Sequence, residues 1–164
     1  MSLNMALLAE LKHEASNTRK MLQRVPSDNL QWKPHEKSFS IGYLASHIAN
    51  IPVWTGRIIE ADEFDFGKTN FTTPQGVSAE DIVEKFDKNL ADAIKILEAT
   101  SDDELNKPWS MRNGDHVFFT TPKKVNLRNF LLNHVVHHRG QLSVYLRLLD
   151  IPVPGMYGPS ADEK

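Results

Sequence analysis

Residues 127–148 read LRNFLLNHVVHHRGQLSVYLRL. In this stretch Leu127, Leu131, His134, His138, Gln141, Tyr145 and Leu148 recur at alternating steps of four and three residues. A row with that spacing lines one side of an α-helix and is the pattern by which bundle helices pack on one another. The spacing predicts a long final helix that starts between Pro122 and Asn126 and is ended by Asp150 and Pro152. His134 and His138 hold two consecutive places in the row where leucine or isoleucine would be expected.

Three earlier segments carry the same kind of pattern. Leu8, Leu11, Ala15, Thr18, Leu22 and Val25 line a first helix, and a connector containing Pro26 and Pro34 follows. A second helix opens at Ser38 or Ser40, with Leu44, His47, Ile51, Trp54 and Ile58 on its stripe and Pro52 bending it. Residues 63–77 contain Gly67, Pro74 and Gly76 and read as a loop. Ser78 followed by Asp81 opens a third helix, whose apolar face is Ile82, Phe86, Leu90, Ala93 and Leu97. The connector before the last helix, of roughly two dozen residues, holds Asn113-Gly114 between Met111 and Val117, which suits the tight turn of a small hairpin. Four amphipathic helices without a convincing set of strands predict an all-α four-helix bundle. The expectation is a single domain over residues 1–164, with long connectors and an irregular Pro- and Gly-rich C-terminal tail.

Composition narrows the function classes. The net charge of −2 comes from 19 basic and 21 acidic residues. The densest basic cluster, Lys123, Lys124 and Arg128, is too small for a nucleic-acid footprint, so no nucleic-acid partner is expected. The absence of cysteine excludes disulfides, thiolate metal sites and a cysteine nucleophile. No apolar stretch is long enough to span a membrane, and the N-terminus shows no signal peptide, so the expected location is cytoplasmic.

The histidines carry the chemistry. His47 sits on the stripe of the second helix much as His134 and His138 sit on the fourth. A buried imidazole without a partner costs roughly 1–3 kcal/mol, and one divalent ion would satisfy three of them together. Residues four apart on a helix lie about 5–6 Å from each other, close enough for two imidazoles to share an ion with a third from a facing helix. Three neutral imidazoles suit zinc, nickel, copper or iron rather than magnesium or calcium. His137 competes with His138 but falls one step off the row, which assigns it to the periphery. His13, His35 and His116 read as surface or loop residues, with a fourth-ligand role for His116, in the long connector, as the minor alternative. Gln141, one turn beyond His138, is the candidate for orienting a group bound at the ion; Tyr145 reads as core, and Trp54 reads as core in preference to a wall of the pocket. Gly140 in mid-helix points to close approach of another helix, within the fold or across a dimer. The residues between His134 and His138 are Val135, Val136 and His137, so the general-base glutamate of an HExxH protease is missing.

NHVVHHRGQLSVYLRLLDIPVPGMYGPS (133–160), SIGYLASHIANIPVW (40–54) and WKPHEKS (32–38) together resemble the DinB-like superfamily, which includes the YfiT-type proteins. The resemblance implies a four-helix bundle of up-down-down-up order in which His47, His134 and His138 bind one metal, commonly zinc or nickel. It also implies a homodimer. Some relatives are metal-dependent transferases or isomerases that use a low-molecular-weight thiol such as bacillithiol or mycothiol.

The leading expectation is a metal-dependent transferase or hydrolase, of the thiol S-transferase type, acting on a small electrophilic substrate. Three protein ligands leave the fourth position open, as catalytic zinc sites do. The alternative is a non-catalytic, stress-related binding protein whose metal site is structural or vestigial, which calls for a fourth protein ligand. A third reading, a small-ligand binder without metal, would leave the histidines bonded to each other and to water.

Overall fold

The computed structural model describes residues 2–70, 72–73 and 75–163. Helix α1 spans Leu3–Leu22, and every residue of its expected row from Leu8 to Val25 is buried. Helix α2 spans Ile41–Asn50, and the Ser40 hydroxyl caps it by accepting from the Tyr43 backbone N–H at 3.2 Å. Pro52 sits in a 3-10 turn, Ile51–Val53, after which α3 runs from Trp54 to Ile59. Helix α4, Ala79–Ala99, opens on Ser78, whose hydroxyl accepts from the Asp81 N–H at 3.1 Å. The last helical stretch comprises α6 (Lys123–Leu127), a π-helical segment (Arg128–Asn133) and α7 (His134–Leu148). Helices α1 and α2 each pack on both α4 and α7, so the four long helices close a ring around one core.

The all-α expectation is overturned by a three-stranded mixed sheet. Strand β1 (Glu63–Asp65) runs parallel to β2 (Pro108–Asn113), which pairs antiparallel with β3 (His116–Pro122). A short helix, α5 (Asp102–Asn106), precedes β2. The connectors expected to be loops thus hold most of the non-helical structure. In β2, Trp109 and Met111 are buried and alternate with Ser110 and Arg112, the two-residue period of a half-buried strand. In β3, Val117, Phe118, Phe119, Thr120 and Thr121 are aromatic or β-branched. The hairpin centres on Gly114-Asp115 rather than Asn113-Gly114: Asn113 pairs with His116, and Gly114 takes the positive φ of 56° that the turn requires. The Asp65 carboxylate ties β1 to this turn by accepting from the N–H groups of Gly67 (2.8 Å) and Gly114 (2.9 Å). Pro74, expected in the preceding loop, lies outside the described residues.

The π-helical segment changes which residues of the final helix face the core. Leu127 and Leu131 are buried as the heptad row predicts. A π turn takes in one extra residue, which advances the phase of everything after it. From that point the buried row is Leu132, Val135, Arg139, Leu142 and Leu146, each one residue beyond the predicted position. His134, His138 and Tyr145 are displaced to the flank and are half-buried, while Gln141 and Leu148 are exposed.

Candidate metal centre

Helix α7 offers His134 and His138 from one face, and α2 offers His47 across from them. Their ring centroids lie 5.0 Å (His47–His134), 4.6 Å (His47–His138) and 4.7 Å (His134–His138) apart. One ligand nitrogen from each ring lies within 4.8 Å of the other two. The Nε2 atoms of His47 and His134 are 3.1 Å apart. Two nitrogens bound at about 2.0–2.1 Å to one tetrahedral ion would stand about 3.4 Å apart, so the triad fits a divalent ion with little movement. The His138 Nδ1–H donates to the Gln141 Oε1 at 2.8 Å, which fixes the tautomer and leaves Nε2 as the candidate ligand atom. The His134 Nδ1 is buried and makes no hydrogen bond of good geometry, although the Phe130 backbone one turn back acts on the ring in the sense that raises its pKa.

Burial keeps these imidazoles neutral. It is the largest cause of the shift at His47, pushed down to about 4, with the neighbouring His138 and His134 adding to it. Burial also lowers His134 and His138, although at His138 the bond to Gln141 acts in the opposite sense. A neutral ring has the lone pair that a metal ligand needs.

No fourth histidine, aspartate or glutamate joins the cluster among the described residues. His116 lies on β3 against Phe118, with ring centroids 5.0 Å apart, and is not the fourth ligand. His137 is exposed and touches His138, at 4.8 Å between centroids, without entering the ligand set. Tyr145 donates from its hydroxyl to the Phe39 carbonyl at 3.2 Å. Gly140 is exposed, and a Cβ added there would meet nothing within 4 Å, so no helix of this chain explains it.

A cavity of about 120 Å³ opens beside His47, lined also by Asn50, Trp54, Arg57, Thr72 and Thr73. Trp54 is both core and wall: it is buried, stacks on Phe130 at 5.2 Å, and borders this space. Phe130 sits one turn ahead of His134 in the chain.

Two groups escaped the sequence reading. Arg139, 3% exposed, occupies the true buried row of α7. Its guanidinium donates to the Glu14 carboxylate (2.6 Å), the Glu14 carbonyl (3.0 Å), the Thr18 hydroxyl (3.0 Å) and the Tyr157 hydroxyl (2.5 Å). The signal was its place between Val135 and Leu142, visible only once the phase advance is known. Arg57 was passed over because nothing in its local pattern distinguishes it. Lys123 of the basic cluster is fully buried, donating to the Ile59 carbonyl (2.9 Å) and Glu104 (2.6 Å), and is a staple between α3, α5 and α6.

The DinB family model matches residues 1–164. The chain belongs to the DinB family. Among curated proteins it is 26% identical over 159 residues to the uncharacterized protein YrdA of Bacillus subtilis (strain 168), covering 95% of this chain and 89% of that protein. A crystal structure of a DinB-like protein from Bacillus cereus ATCC 10987 superposes with a TM-score of 0.69 at 24% identity, over 92% of this chain and 95% of the other. The DinB-like protein YjoA of Bacillus subtilis gives the same TM-score of 0.69 at 18% identity, over 97% and 99% of the two chains. At these identities the two structures speak for the fold. The three-histidine cluster of this DinB protein could hold a metal ion. Among its described residues no helix is long and apolar enough to cross a membrane.

Proposed function

We propose that this DinB protein is a metal-dependent enzyme, a thiol S-transferase or hydrolase that acts on a small electrophile. The observation that carries the reading is the placement of three neutral imidazoles at a half-exposed rim, with no fourth protein ligand beside them among the described residues. Structural zinc sites are closed by four protein ligands, whereas catalytic ones keep a position for water or substrate. A divalent ion, zinc or nickel by the chemistry of the donor set, would act there as a Lewis acid and lower the pKa of a water or thiol at the open position. Gln141 acts through His138, holding the ring by its Nδ1–H so that Nε2 faces the other two histidines. Trp54, stacked on Phe130, gives the cavity beside His47 an apolar wall that would limit water there. The absence of cysteine means that any sulfur nucleophile is supplied by a low-molecular-weight thiol.

The test is a screen of epoxides, activated alkenes and alkyl halides with and without small thiols, using zinc- or nickel-loaded protein. Turnover that requires the ion and stops in His138→Ala is the expected result. Dependence on added thiol marks the transferase, and its absence marks the hydrolase. A reaction that proceeds equally in the metal-stripped protein or in His138→Ala would refute the proposal.

A further inference from the structure

We propose that two copies of this chain associate through the outer face of α7, with the two helices antiparallel about a two-fold axis at Gly140. Such a pair forms whether or not the histidines hold an ion. Charged residues make up 24% of the chain. Helices α1 and α4 carry theirs outward, joined across the surface by the pairs Lys12–Glu98 (3.2 Å) and Arg19–Asp87 (3.0 Å). Helix α2 has no Asp, Glu, Lys or Arg, and on α7 the one such residue that is exposed is Arg147, engaged by Asp162 of the tail at 2.6 Å. The outer face of a surface helix normally carries charged and polar side chains. Here α7 exposes Val136 (39%), Val144 (56%) and Leu148 (58%), which with Gly140 form one row at four-residue steps. A row of that spacing is a ridge by which helices interlock. Phe39, 51% exposed, carries the apolar surface on toward α2: its carbonyl accepts from the Tyr145 hydroxyl at 3.2 Å, and its ring lies 4.5 Å from that of Tyr43.

Gly140 stands at the centre of the row. A helix interior disfavours glycine, and a Cβ added here would meet nothing within 4 Å, so no packing inside the chain calls for it. At the crossing point of two helices the missing side chain lets their backbones approach closely. The symmetry of the row selects a second copy over an unrelated partner. Val136 and Val144 lie four residues before and four after Gly140. An antiparallel two-fold at that residue therefore sets each Val136 against the partner's Val144 and glycine against glycine. A contact of this kind requires a surface that complements itself, and an uncharged face does so without like-charge repulsion. His137, exposed and 4.8 Å from His138 between ring centroids, lies one helical turn from Gly140. The second copy therefore runs along the margin of the histidine cluster.

Sedimentation velocity on the full chain, with circular dichroism to verify folding, tests this. The wild-type protein should form a reversible dimer that dissociates on dilution. Val144→Glu, which sets a carboxylate into the contact, should raise the dimer dissociation constant by on the order of a hundredfold. Gly140→Leu should act in the same direction by holding the helices apart. Val136 and Val144 are about 12 Å apart along one helix, too far to pair within a chain. Val136→Lys combined with Val144→Glu should therefore regain the dimer, because the two new charges meet across the axis. A wild-type chain that is monomeric at every concentration, whether bare or holding a different protein by this face, overturns the association. A dimer indifferent to both Val144→Glu and Gly140→Leu uses another surface and overturns this one. A double variant that stays monomeric overturns the antiparallel register.

Discussion

At the scale of single residues, the candidate site is a matter of nitrogen lone pairs and their orientation. His47, His134 and His138 face each other, Gln141 aims one of them, and His137 stands beside the group without joining it. Replacing Gln141 by leucine should weaken metal affinity about 10–100-fold, the usual effect of removing a partner that orients a ligand, with the fold intact. Competition with a chromophoric chelator measures this, and an unchanged affinity would mean that the hydrogen bond at 2.8 Å does no positioning. His137→Ala, by contrast, should leave metal content unaltered. Arg139 matters to stability rather than to the ion. Arg139→Met strands the Glu14 carboxylate in the core and should cost about 3–5 kcal/mol in denaturant unfolding. A loss under 1 kcal/mol would show that Glu14 and Tyr157 re-form a satisfied pair without it. The cluster of His47, His134 and His138 was legible in the sequence because histidine at apolar-row positions needs a reason. Arg139 and Arg57 were not, since one lies on a row that the π turn creates and the other is defined by a cavity made of distant segments.

At the scale of elements, the π-helical segment before α7 decides the character of the site. Without its phase advance the histidines would point along the seam into the core. With it, the seam passes to Leu132, Val135, Arg139, Leu142 and Leu146, and the histidines stand at the rim, where solvent and small molecules reach them. A sequence row cannot show this, because periodicity assumes one helical pitch throughout. The sheet was partly legible: Trp109-Ser110-Met111-Arg112 alternates and Gly114 marks its turn, but β1 is only three residues long and takes its partner from a remote segment. Gly140 gives an element-scale test. It is exposed with open space around it, so Gly140→Ala should stabilise the isolated chain by up to about 1 kcal/mol through helix propensity. A drop in melting temperature instead would reveal a neighbour from outside the chain pressed against this face.

At the scale of the whole molecule, the four long helices form a frame that brings α2 and α7 together, and the sheet with α3 and α6 closes the end where Trp54, Phe64, Trp109, Phe119 and Phe130 cluster. Stability of the metal-stripped protein should depend on acidity through the histidines. Unfolded, an imidazole titrates near 6.5, while His47 in the folded protein is held at about 4 and His134 and His138 are also lowered. Between about 4 and 6.5 the unfolded chain therefore binds more protons, so stability is complete above that window and is lost as the pH falls through it. Thermal melts at stepped pH should show a plateau above neutrality and a decline below pH 6.5, and a melting temperature flat to pH 4 would contradict the assigned burial. A bound ion adds to the native state by mass action, so chelation should lower the melting temperature. The most direct test is elemental analysis of the purified protein alongside His47→Ala, His134→Ala and His138→Ala. One divalent ion per chain, lost in all three variants, is the predicted result; full occupancy retained in any of them would contradict the shared site.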